Sequence, residues 1–135
     1  MNTSSSCPGT YNDARNEIAS PNFPLSYGSN EYCQWNIQAP SGKQIALSFD
    51  EFETEHASGN ADDAKYDHLT IYDGKDNNAQ IIGNKFNGTI SLSDILSSGN
   101  NLHLSFKSNS GYEKKGFQIH YQIHGKYFYH AYIAY

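Results

Sequence analysis

Hydrophobic and polar residues alternate along most of the chain, the period of strands that bury one face. Cys33, Trp35 and Ile37 interleave with Gln34, Asn36 and Gln38, and the run stops at Ala39-Pro40-Ser41-Gly42, a turn by composition. Ile45, Leu47 and Phe49 repeat the pattern, and so do Leu69 and Ile71 before Asp73-Gly74. Ile81 and Ile82 ahead of Gly83, and Ile90 with Leu92, predict two further short strands. Gly99-Asn100-Asn101 leads into Leu102, Leu104 and Phe106. The last clear strand sets Phe117, Ile119, Tyr121 and Ile123 on one face against Gln118, His120, Gln122 and His124 on the other. Ser93-Asp94-Ile95-Leu96-Ser97 is the one stretch that suits a helical turn. Short strands with turn residues between them predict an all-β fold, a two-sheet antiparallel sandwich with one wet face per sheet.

Composition sharpens this picture. A chain of 135 residues makes one ordinary domain, expected over residues 7–125 after a flexible segment 1–6. Eleven Tyr, seven Phe and eleven Gly against one Met favour pleated sheet and tight turns over helix. The tail 126–135 is unusual in crowding Tyr127, Phe128, Tyr129, Tyr132 and Tyr135 where termini are commonly polar. It reads first as an added edge strand and second as an aromatic contact surface. Nine Lys and Arg against fourteen Asp and Glu leave a formal charge of −5, which argues against nucleic acid as a partner. No apolar run approaches the roughly 18 residues of a spanning helix, so membrane insertion is not expected. The first residues hold neither a basic nor an apolar leader segment, and the chain is expected to be soluble, with any signal peptide already removed.

The two cysteines, Cys7 and Cys33, leave two options, a pair of buried thiols or one bridge. The bridge is preferred, because it would anchor a polar N-terminal stretch and constrain the unfolded chain by about 3–4 kcal/mol. Asn2-Thr3-Ser4 and Asn87-Gly88-Thr89 are glycosylation sequons that fit a secreted protein.

Candidate chemistry concentrates in carboxylates. Glu55 closes the strand region begun at Ile45, and Asp67 opens the one carrying Leu69 and Ile71, so the loop His56 to Lys65 returns the chain to one end of the sandwich. Asp67 shares the parity of Leu69 and Ile71 and therefore points inward. Two carboxylates held close repel unless a proton, a basic side chain or a hard cation lies between them. Calcium suits loop-supplied oxygen ligands, whereas Asp62, Asp63 and Lys65 in the same loop equally suit a merely solvated acidic loop.

Several segments together resemble the CUB domain: Cys7, Ile18-Ala19-Ser20-Pro21-Asn22-Phe23-Pro24-Leu25-Ser26-Tyr27, Cys33-Gln34-Trp35-Asn36-Ile37, Phe52-Glu53-Thr54-Glu55, Tyr66-Asp67-His68-Leu69-Thr70-Ile71-Tyr72-Asp73-Gly74 and Gly116-Phe117. The resemblance implies a jelly-roll-like sandwich, extracellular and noncatalytic, serving protein recognition within a mosaic protein. It also implies calcium held at the positions of Glu55, Asp67 and Asn109, with Tyr27 supporting the carboxylates by hydrogen bonding. A Lys or Arg of the partner would then dock at Glu55, Asp67 and Tyr27. Where calcium-binding members carry Ser-Asp, this chain reads Ser108-Asn109, so Glu55 and Asp67 alone bring formal charge. Weaker calcium binding is expected. The second cysteine pair of the family is replaced by Ala64 and Asn87.

Other chemistry is thinly represented. His120 and His124 on one strand stand about 13 Å apart, too far to share an ion, and read as solvent-face residues. No GxSxG, HExxH or P-loop pattern occurs, and no catalytic residue is assigned. Two rival functions remain in view. One is metal-independent glycan binding through Tyr127, Phe128 and Tyr129; the other is an accessory domain of a secreted protease.

Overall fold

The computed structural model describes residues 10–11, 15–55, 66–83, 85–90 and 94–125. They form eight strands: β1 Thr10–Tyr11, β2 Arg15–Ala19, β3 Tyr32–Gln38, β4 Gln44–Glu53, β5 His68–Tyr72, β6 Ile95–Leu96, β7 Asn101–Lys107 and β8 Gly116–His124. One sheet runs β1-β3-β7-β5 and the other β2-β8-β4-β6. All neighbours are antiparallel except the two-residue pairing of β1 with β3. This is the expected sandwich.

Period two sets the core. Cys33, Trp35 and Ile37 from β3 and Leu102, Leu104 and Phe106 from β7 face Ile45 and Leu47 from β4 and Phe117, Ile119 and Tyr121 from β8, all of them buried. Phe117 makes edge contacts with Trp35 and Phe106 and stacks on Phe52, tying the sheets through one aromatic cluster. In β4 the register shifts between Phe49 and Glu51, which moves the inward parity from odd to even and turns Phe52 into the core. The same bulge leaves Asp50 beside His120, whose other ring nitrogen lies 2.8 Å from Glu17 on the solvent face.

The structure departs from the local readings at a few places. Ile95 and Leu96 form β6 rather than a helical turn, because β4 offers a free edge there and Ser97 fastens the pair through its N–H and hydroxyl to Ile45. Ile81 makes an isolated bridge to Tyr72, and Ile90 donates its N–H to the Phe52 carbonyl. The Ile81–Ile82 segment builds no strand, and Leu92 lies outside the described residues. The strands β1 and β2 carry too few alternating residues to be read from pattern; β2 forms because its backbone pairs along β8 from Arg15 to Ala19. No helix occurs among the described residues, and none is long and apolar enough to cross a membrane. Residues 1–6, Cys7, Ala64 and the tail 126–135 lie outside the described residues.

The buried titratable groups on the outer face of the first sheet include His68 and His103. His103 pairs through Nδ1 with Asn36 Oδ1, packs against the Tyr72 ring, and leaves Nε2 buried without a partner. Burial lowers its proton affinity from the ordinary value of 6.5. Below that value the unfolded chain takes up a proton that the folded chain resists, so stability declines as pH falls through this window. His124 is shifted in the same direction, also by burial. The share of His103 is therefore read as a difference: His103→Gln should flatten the loss of urea stability between about pH 7.5 and pH 5 relative to the parent chain.

Candidate functional site: an acidic corner

Four segments remote in sequence meet at one end of the sandwich. The loop after β2 brings Tyr27, whose N–H bonds the Lys114 carbonyl at 3.1 Å and whose ring meets Phe106 edge-on at 4.9 Å. The end of β4 brings Thr54 and Glu55, the entry to β5 brings Asp67, and the turn after β7 brings Ser108 and Asn109. Asp67 is 0% exposed and Glu55 8%. The inward parity read for Asp67 with Leu69 and Ile71 therefore matches its burial.

Hydrogen bonds bind the corner together. Tyr27 donates its hydroxyl hydrogen to Asp67 Oδ2 at 2.6 Å and accepts from the Glu55 N–H at 3.3 Å. The Asn109 N–H donates to Asp67 Oδ1 at 2.7 Å, while its side-chain Nδ2 donates to Glu55 Oε1 at 2.9 Å. The same Glu55 oxygen accepts the Asp67 N–H at 3.3 Å. Asn109 Oδ1 accepts the Gly111 N–H at 3.0 Å. Because a backbone N–H only donates and a carboxylate only accepts, these two partners fix which end of the amide faces which way.

Two residues without an assigned role in the sequence reading organise the frame. Ser108 bonds Glu31 through both backbone and side chain and donates its hydroxyl hydrogen to the Gly28 carbonyl at 2.8 Å, stapling the 28–31 turn beneath Asn109. Thr54 Oγ1 is buried and reaches the carbonyls of Glu55 and Asp67, so one hydroxyl holds both acidic segments. The bonding capacity of a small polar residue is common in any loop, and nothing in local sequence marks these two.

Electrostatics follow from burial. The Asp67 carboxyl is pushed above its ordinary 3.8, chiefly by burial and further by the charges of Glu55 and Glu113, while bonds from Tyr27 and Asn109 pull it back. Burial, then the bond to Asp67 and its charge, raise the Tyr27 hydroxyl, which stays a donor. Glu113, part-exposed and held by Ser29, is lowered by that hydrogen bond. It adds a third negative charge near the two buried ones. Among the described residues no Lys, Arg or His is paired with Glu55 or Asp67.

The CUB domain family model matches residues 7–121 of the chain. This chain belongs to the CUB domain family. Tolloid-like protein 2 of Mus musculus is 36% identical over 112 residues, covering 83% of this chain and 11% of that protein. The extracellular region of zebrafish Gpr126/Adgrg6 superposes with a TM-score of 0.76 at 30% identity, over 88% of this CUB domain and 15% of that chain. The calcium-bound CUB2 domain of MASP-1 superposes with a TM-score of 0.72 at 23% identity, covering 84% and 96% of the two chains, and shares the fold. The present domain spans about a tenth of the length of the curated relatives it matches.

Calcium needs several oxygen ligands facing one point. Glu55 Oε1, both Asp67 carboxylate oxygens and Asn109 Oδ1 are turned to donors of the corner itself, and the amide presents nitrogen, not oxygen, to Glu55. Among the described residues, Glu55, Asp67 and Asn109 as arranged do not turn a set of free oxygens to one point, and in this arrangement they do not fit the ion. Asn87, the second sequon, donates its amide to the Lys85 carbonyl at 3.0 Å.

Proposed function

We propose that this CUB domain is a noncatalytic, extracellular recognition module whose acidic corner accepts a Lys or Arg side chain from a protein partner. One observation carries the reading: two carboxylates from distant segments are held together, buried, with no internal cation beside them among the described residues. Such a pair stores unfavourable desolvation and repulsion that an incoming cation relieves. An ammonium or guanidinium supplies N–H donors as well as charge, which matches acceptor oxygens already in place. Glu113 on the rim extends the negative field outward, favouring encounter with a basic segment.

The extracellular placement rests on chemistry of the same kind. Cys33 is fully buried and no described cysteine is free, in keeping with a bridge to Cys7 formed in an oxidising compartment. The glycan reading depends on Tyr127, Phe128 and Tyr129, outside the described residues, and no feature of the corner favours it.

Peptide-display selection against the folded domain tests the proposal. Selected sequences should carry Lys or Arg at one fixed position, and binding should fall tenfold or more, on the order of a buried charge pair, when that residue becomes Ala or when Glu55→Gln is introduced. Selection without basic enrichment, or binding indifferent to Glu55→Gln, would overturn it.

A further inference from the structure

Among the described residues, Glu55 and Asp67 are held by four N–H or O–H donors, none of them cationic. Two come from Asn109, one from the Asp67 backbone and one from Tyr27. The decisive contact is Asn109 Nδ2 at 2.9 Å from Glu55 Oε1. An aspartate at this position would set a carboxylate oxygen where that nitrogen lies, facing a second carboxylate, an arrangement that only a cation or a proton makes tolerable. The Gly111 N–H holds the amide oxygen on the opposite side, so the donor stays directed at Glu55.

We propose that the Asn109 amide takes the place of an ion in this chain. It bridges Glu55 to the turn after β7, while its own backbone N–H secures Asp67, so the corner is assembled without calcium. The partner's Lys or Arg is then the cation the corner takes up, and recognition survives chelation. This inference rests on the reading of the corner as a cation-accepting site, but its test is separate from the peptide selection.

The experiment is thermal unfolding of the domain in excess calcium and in chelator. The parent chain should melt at the same temperature in both. Asn109→Asp should melt lower in chelator and regain stability in calcium, by roughly 5–10 °C at about a hundredfold excess over its Kd. Should Asn109→Asp fold only when calcium is present, circular dichroism would record that requirement, with the same meaning. Asn109→Ala keeps the backbone bond to Asp67 but loses the bridging donor, and should melt lower in calcium and chelator alike. A calcium-dependent rise in the parent chain, an unresponsive Asn109→Asp, or rescue of Asn109→Ala by calcium would each overturn the inference. A calcium-silent parent chain combined with a failed peptide selection would leave the amide's role standing and remove the partner's cation with the functional reading.

Discussion

Gly116→Ala should be the most damaging glycine-to-alanine change among the described residues, costing about 3–5 kcal/mol. Gly116 opens β8 with φ at +95°, a conformation that strains any side chain. A Cβ built there would lie 1.8 Å from Ser20 Oγ and 2.9 Å from Ser20 Cβ. The serine has little room to yield, because its hydroxyl accepts the Phe117 N–H at 3.0 Å and its own N–H bonds the Phe117 carbonyl at 3.1 Å. Tyr27 Cδ2, at 3.3 Å from the same point, blocks relief on the other side. Backbone strain, overlap and a lost hydrogen bond therefore act together, against a total stability that for single domains is about 5–15 kcal/mol. Urea unfolding should show a large drop in midpoint with little change of slope. A midpoint within experimental error of the parent would refute the close packing of Ser20, Gly116 and Tyr27.

What was legible in the sequence tracks how local its cause is. The alternation in β3, β7 and β8 is written residue by residue, since each inward side chain needs only its own parity. Phe52 escapes that rule, because the bulge at Asp50 resets parity and no turn residue announces it. The Ser93–Ser97 segment misleads for a related reason: two residues are too few to show a period, and the edge of β4 decides their structure. The acidic corner divides the same way. Alternation placed Asp67 inward, and the family resemblance drew Glu55, Tyr27 and Asn109 together. The direction of the Asn109 amide depends on Gly111 and Glu55 at once, a three-body condition that spacing does not encode.

Tyr27→Phe should cost about 2–3 kcal/mol at neutral pH, and the loss should shrink in acid. The substitution keeps the ring and its edge contact with Phe106, so it removes a hydroxyl and little else. That hydroxyl is the donor to Asp67 Oδ2 and the acceptor for the Glu55 N–H, both buried. Losing it leaves one carboxylate oxygen and one amide hydrogen without those partners in a place closed to water, the expensive kind of deletion. The pH dependence follows from Asp67. Its carboxyl already protonates more readily in the folded chain than at the ordinary 3.8, and the Tyr27 bond restrains that rise. Without the bond the folded value climbs further. A carboxyl raised on folding contributes stability that is full below its unfolded value and is lost as pH rises through the folded one. The gap between Tyr27→Phe and the parent chain should therefore narrow as pH falls toward about 4, the side on which the raised carboxyl takes up its proton, and should widen toward about pH 7.5, with the lost Glu55 N–H contact as the part that does not titrate. Paired urea titrations at about those two pH values measure it; equal gaps would mean that the hydroxyl matters for packing rather than for the buried charge. In the peptide-binding assay the same variant should weaken capture of the basic side chain, because the hydroxyl that holds the Asp67 carboxylate in place for the incoming cation is gone.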